Sequence, residues 1–250
     1  MGVPADHIVT LLAEPCGCSA RNAFKGSIFL EAGNYSTNLL EGVRIDSAYG
    51  RVTPRLVKDV LTGRSPLLGS GPASNVVLYM TGHGGDEFLK FQDSEELSAV
   101  ELANAVREMR LKRRFRKLLV LVDTCQAGSL FSRLDDAPGV LGLASSRLGE
   151  NAYASPPDAT IGVALADRFT EYLAARFFRE TPPATATLGD FAAALARAPT
   201  RSTLDIYDAS WGSPQEDAWQ ATLLSAFFSS PASIPRLTDW PLSSYESGAR

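Results

Sequence analysis

The order of apolar and polar positions divides the chain into a few fully buried runs separated by amphipathic stretches. Residues 75–80 (Asn-Val-Val-Leu-Tyr-Met), 118–122 (Leu-Leu-Val-Leu-Val) and 140–144 (Val-Leu-Gly-Leu-Ala) show no polar alternation. Such runs predict strands covered on both faces, as in a parallel sheet. Shorter strands are predicted at 7–12, 204–207 and 222–228. Between them lie helical signals. Thr53 is a cap, Pro54 fits the first helical position and Gly63 fits the stop. Ser98 with Glu101 makes a capping box ahead of the stripe Leu102, Val106, Met109. A helix over 161–180 carries Val163, Ala166, Phe169, Tyr172 and Leu173, and Thr187 with Asp190 starts another that runs to about Arg197. Residues 13–48 are polar and aperiodic and predict a long loop, of the kind held by function or by a partner. Residues 64–74 form a Ser/Gly/Pro-rich linker. The alternation of strand and helix predicts one α/β domain over 1–230, a three-layer sandwich around a mostly parallel sheet. Residues 231–250 read as a polar, Pro-rich tail.

With 250 residues, 45% of them hydrophobic, the chain has the material for a substantial core. A net charge of -4 offers no footprint for nucleic acid. The basic run 112–117 is a local exception, read as a solvated helix end where cations favour the dipole. Three cysteines do not make a disulfide scaffold, and Cys16 and Cys18 have only His7 near them, too little for zinc. No basic-then-apolar leader begins the sequence, and no apolar run approaches the roughly 20 residues that span a bilayer.

In open α/β sheets, sites form beyond the carboxyl ends of the strands. The run 75–80 leads into Thr81-Gly82-His83-Gly84-Gly85, and the run 118–122 into Asp123-Thr124-Cys125. If the two strands are neighbours, His83 and Cys125 reach one edge of the sheet. An imidazole beside a thiol is the arrangement that activates a cysteine nucleophile. The glycines allow a sharp turn and close approach of backbone to substrate. The N–H groups of Gly84 and Cys125 are candidates for an oxyanion hole. Asp123, Ser145 and Ser146 end neighbouring strands and are assigned to support of the substrate pocket. Asp93, Glu95 and Glu96 are read as loop and helix start.

These residues carry a family resemblance. The segments 78–85 and 88–96 (Phe-Leu-Lys-Phe-Gln-Asp-Ser-Glu-Glu), with Asp123-Thr124-Cys125-Gln126, Leu143-Ala144-Ser145-Ser146 and Ile161-Gly162-Val163, resemble the catalytic subunits of glycosylphosphatidylinositol (GPI) transamidases. Those are caspase-like cysteine peptidases of the legumain type. The similarity runs from residue 2 to about 229. It implies that Cys125 forms a thioester with a precursor protein near its C-terminus and that His83 is the acid and base. The hydrophobic C-terminal signal then leaves, and the ethanolamine amine of the GPI glycolipid takes its place. No cofactor is called for. The implied setting is the lumenal side of the endoplasmic reticulum membrane, within a multi-subunit complex. Cys18 matches a family cysteine that pairs with a companion subunit.

The resemblance also has two departures. Family members begin with a secretory signal, a first strand and a helix, which are not matched here. The sandwich is therefore expected to lack its first strand, an internal one, and the sequence to be an incomplete gene product. Family members also hold a calcium ion near the early strand. The matching positions here are Ala5, Ile8, Arg44 and Asp46, which leave Ile8 and Asp46 as weak candidates and predict no strong site. Two further readings compete: a legumain-like endopeptidase that passes its thioester to water, and a truncated, non-catalytic paralogue that binds.

Overall fold

The computed structural model describes residues 3–20, 22–134, 137–178, 182–208 and 218–228. The predicted tail at 231–250 lies outside them. Strand β1 (Leu11–Leu12) pairs in parallel with β2 (Ser47–Ala48). Helix α1 (Pro54–Thr62) comes next, with the Leu56 N–H donating to the Thr53 hydroxyl and Gly63 left-handed at its end. After it lie β3 (Asn75–Thr81), β4 (Gly84–Gly85), β5 (Phe88–Phe91), β6 (Glu95–Ser98) and α2 (Ala99–Leu111), the last with its Ser98/Glu101 capping box complete. The chain continues through β7 (Lys117–Asp123), β8 (Val140–Ala144), α3 (Arg168–Phe178), α4 (Leu188–Ala196) and β9 (Asp205–Tyr207).

Among the described residues the main sheet has the order β3-β7-β8-β9, with the first three strands parallel and β9 antiparallel to β8. Strand periodicity sends alternate residues of β7 to opposite faces. Leu118, Val120 and Val122 pack with Val57, Leu61, Leu102, Val106 and Met109 of α1 and α2. Leu119 and Leu121 pack with Phe169, Leu188, Phe191 and Leu195 of α3 and α4. Two cores on two faces of one sheet are the three layers that the uninterrupted apolar runs require. β3 is a terminal strand of this sheet, and β1 with β2 pair apart from it.

The structure corrects the sequence reading at four places. Only Leu11–Leu12 of the early apolar run is strand. Residues 84–98 carry a small antiparallel sheet, β4-β5-β6, so Glu95 and Glu96 belong to a strand, not to a helix start. Gln92 and Asp93, both with positive φ, close its β5–β6 hairpin, as the strand twist favours. The helix expected over 161–180 begins at Arg168, because residues 158–162 are tied into a turn ending at Gly162 with φ +79°. The apolar stretch at 222–228 forms a short 3-10 turn, Leu224–Ala226, instead of a strand. Its Leu224 and Phe227 are buried in the α4-side core, and its backbone bonds go to Ala186 and Leu188.

The basic run has a specific use. Arg114 donates to the carbonyls of Leu61 (2.8 Å) and Leu68 (2.6 Å), and the Lys112 ammonium to that of Thr62 (3.1 Å). Cations from the end of α2 and just past it thus satisfy open carbonyls at the end of α1 and in the segment that follows it.

The long loop is anchored by one buried carboxylate. Asp158 accepts from the Gly33 N–H (2.7 Å), the Tyr35 hydroxyl (2.6 Å) and the N–H groups of Thr160 (2.8 Å) and Ile161 (2.7 Å). Tyr35 also packs with Phe24 and Phe29. The Tyr35 hydroxyl first, then the backbone donors, hold the Asp158 carboxyl down to about 2. An unfolded Asp titrates near about 3.9, so the anchor's contribution is complete above that pH and is lost as pH falls through about 2. Pepsin is therefore expected to spare residues 22–43 at pH 4 and cut them near pH 2. Asp158→Asn is expected to expose them to thermolysin at pH 7; an equally protected variant would contradict the anchoring role.

Candidate active site

Strands β3 and β7 run parallel in a register that pairs Thr81 with Asp123. The Gly82 N–H donates to the Asp123 carbonyl (3.3 Å), which carries the pairing one step further. His83 and Cys125 each stand two residues past that last pair, on strands about 4.8 Å apart. The parallel register therefore delivers imidazole and thiol to the same edge of the sheet. Gly82 turns the chain with φ +151°, a conformation open to glycine. The β5 strand holds the chain just past that turn, since the Lys90 N–H donates to the His83 carbonyl (2.8 Å). His83 is exposed and Cys125 half-buried. The Cys125 Sγ points to the Ala152 carbonyl at 3.9 Å.

The turn that carries Cys125 is braced from β8. The Ser146 hydroxyl donates to the Thr124 carbonyl (2.7 Å) and accepts from the Ala127 N–H (3.0 Å). The Ser145 hydroxyl accepts from the Thr124 N–H (3.3 Å). Both serines are buried, at 2% and 0% exposure. They brace the backbone on either side of Cys125 from within the core. Gln126, directly after Cys125, is left-handed with φ +55°. Gly84 lies against the same turn: a methyl group there would stand 2.5 Å from the Thr124 Oγ1 and 2.7 Å from the Phe88 carbonyl oxygen.

Asp123 is fully buried. Its carboxylate accepts from the Thr170 N–H (3.1 Å) and the Thr170 hydroxyl (2.5 Å). Thr170 is in the first turn of α3, whose N–H groups lack helical partners, so Asp123 caps that helix from a neighbouring strand. Burial pushes its carboxyl up and the Thr170 donors oppose the rise. The Thr170 proton is committed to Asp123, so the Tyr79 hydroxyl is the donor in its 2.5 Å contact with Thr170. Burial pushes that phenol up to about 12. Asp167 adds a second carboxyl beside the site. Burial raises it, the Asp123 charge raises it further and the His83 charge opposes both. Asp167, Thr170 and Ala152 come from segments without a motif, and reading residues 161–167 as helix hid the first of them.

The remaining candidates lie elsewhere. Cys18 is an exposed free thiol, and the Tyr49 hydroxyl stands 3.7 Å from its sulfur. Ile8 and Asp46 do not fit a calcium site. The Arg44 guanidinium sits 2.9 Å from the Asp46 carboxylate and 3.4 Å from the Ile8 carbonyl, and the Thr10 N–H takes the other Asp46 oxygen. A cation of the chain itself thus holds the oxygens a metal would need. Adding a chelator is expected to leave the Tm unchanged; a fall would show that calcium holds the fold together. Among the described residues no helix is long and apolar enough to cross a membrane.

Comparison with known proteins gives the family. Residues 1–205 match the Peptidase C13 family. The chain is 42% identical over 195 residues to the GPI-anchor transamidases of Mus musculus and Homo sapiens, covering 75% of this chain and 49% of each relative. It is 39% identical over 177 residues to that of Schizosaccharomyces pombe, covering 68% of this chain and 46% of the relative. The chain thus spans about half the length of the curated relatives it matches.

Proposed function

We propose that this chain, which belongs to the Peptidase C13 family, is the catalytic part of a GPI-anchor transamidase. The observation that carries the reading is the parallel register that brings His83 and Cys125 to one edge of the sheet, with Gly84 against the turn that carries Cys125. In the reaction, the Cys125 thiolate attacks the carbonyl of the attachment residue of a precursor protein. The N–H groups of Cys125 and Gly84 stabilise the oxyanion. His83 gives its proton to the departing amine of the C-terminal signal, leaving a thioester. The ethanolamine amine of GPI then attacks, His83 takes up its proton, and the thiolate leaves as the amide forms. Asp123 supports the site by holding the start of α3 against the end of β7 and has no chemical step.

The acceptor amine must outcompete water, so the thioester has to be shielded. Companion subunits of a transamidase complex and the endoplasmic reticulum membrane, on its lumenal side, supply that cover in this reading, and the exposed Cys18 thiol supports pairing with a companion's thiol in an oxidising lumen. Thioester transfer to water would make the same site an endopeptidase. The names of the relatives favour transfer. The test is expression of the gene in cells that lack GPI-anchor transamidase. Return of GPI-anchored proteins to the cell surface is expected with the parent and not with Cys125→Ala. Equal rescue by both, or by neither, would sink the assignment.

A further inference from the structure

The catalytic reading places Cys125 in a turn whose next residue holds a left-handed conformation. Gln126 lacks the freedom of glycine there, so something must hold it. Its carbonyl accepts from the Ser129 N–H (2.9 Å) within its own turn, and two further hydrogen bonds reach outside it. The Gln126 N–H donates to the Glu150 carbonyl (2.8 Å), and the Gly149 N–H donates to the Gln126 side-chain oxygen (3.1 Å). Both partners belong to the turn 147–150 after β8. That turn leads on to Ala152, whose carbonyl faces the Cys125 sulfur.

The turn is itself fastened by one side chain. A carboxylate oxygen of Glu150 accepts from the Arg147 N–H (3.1 Å), which closes the turn, and from the Thr203 N–H (2.8 Å). The other oxygen accepts from the Thr203 hydroxyl (2.8 Å). Thr203 lies just before β9, and the neighbouring Ser202 hydroxyl donates to the Ser145 carbonyl (2.6 Å). Hydrogen bonds from those donors hold the Glu150 carboxyl below the usual range. So a carboxylate that does not touch the thiol locks the segment that grips Gln126.

We infer that Glu150 is a positioning residue, whose carboxylate ties the 147–150 turn to Thr203 and so fixes the Gln126 backbone and the aim of the Cys125 thiol. The inference rests on Cys125 being the nucleophile and not on what the thioester is passed to. Loosening the turn frees the thiol to leave its working position, and misplacement on the order of an ångström can cost up to about a hundredfold in rate.

The experiment measures the rate at which iodoacetamide alkylates Cys125 in the folded chain at pH 7, read by mass spectrometry of its own peptide so that Cys16 and Cys18 do not interfere. Glu150→Ala is expected to slow alkylation about tenfold. Glu150→Gln is expected to stay within about twofold, because its amide oxygen accepts from Arg147 and Thr203 while its amide N–H donates to the Thr203 hydroxyl. Loss by the alanine variant with rescue by the glutamine variant is a pattern that a merely destabilised fold does not produce. If Glu150→Ala does not fold, Thr203→Val, which removes one of the three bonds, decides in its place with an expected two- to threefold loss by the same reasoning. Alkylation of the deciding variant at the parent's rate or faster would overturn the inference. A parent Cys125 no more reactive than the same cysteine in the unfolded chain would instead count against Cys125 as the nucleophile.

Discussion

Cys125→Ala is expected to abolish turnover, by about 10⁴-fold or more, because the proposed reaction carries the acyl chain on that thiol. Cys125→Ser is expected to fare little better, since a hydroxyl beside an exposed imidazole is a far weaker nucleophile than a thiol. His83→Ala is expected to cost about 10²–10⁴-fold, the range for a positioned acid and base. The proposed mechanism has the two residues act in one step, so the double variant is expected to be no worse than Cys125→Ala alone. The parallel pairing of Thr81 with Asp123 is the structural reason: it places both groups at one sheet edge. Release of product from a peptide substrate, measured for all four variants at matched concentration, checks this. An additive loss would mean that His83 serves a separate step.

The second large effect is expected at Gly84. A Cβ there would meet the Phe88 carbonyl oxygen at 2.7 Å and the Thr124 Oγ1 at 2.5 Å. The hydroxyl is on a buried side chain next to Cys125, and the carbonyl belongs to the paired strand β5, so neither yields without moving the site. Gly84→Ala is expected to push the Gly84 N–H away from the developing oxyanion and to cost about 10²–10³-fold in kcat, as loss of one such donor does. Overpacking of this kind costs about 1–3 kcal/mol in stability. The thermal unfolding profile, measured alongside kcat, separates the two effects. Full activity in a folded Gly84→Ala protein would remove Gly84 from the mechanism.

Much of this was readable from residue order, and the reasons are specific. The strands β3, β7 and β8 are covered on both faces, so burial left unbroken apolar runs at 75–80, 118–122 and 140–144. Helices α1, α2 and α4 announce themselves through Thr53, Ser98 and Thr187, whose caps form as written. The hairpin β5–β6 was hidden because Lys90, Glu95 and Glu96 interrupt its apolar pattern, although Leu89, Phe91 and Leu97 are buried on one side. The start of α3 was misplaced because Val163 and Ala166 continue its apolar spacing into a turn that Asp158 ties down. At 222–228, Leu224 and Phe227 are apolar because they fill the core beside α4, a demand that a 3-10 turn meets as well as a strand. The arrival of His83 and Cys125 at one sheet edge was legible because each follows the end of a buried strand by two residues. Asp167 and Glu150 were not, since contacts distant in sequence tie each to this region: the charges of Asp123 and His83 around Asp167, and the bonds that link Glu150 to Gln126.

The central claim is that Cys125 holds the substrate as a thioester and passes it to an amine. Incubation of the folded protein, with whatever companion subunits it requires, with hydrazine and a precursor peptide bearing a GPI attachment signal tests it most directly. Mass spectrometry of the products is predicted to show the peptide cut at the attachment residue and ending in a hydrazide, with none formed by Cys125→Ala. A free carboxylic acid as the sole product would contradict the account and make the chain a hydrolase, and a hydrazide formed equally by Cys125→Ala would remove Cys125 from the chemistry.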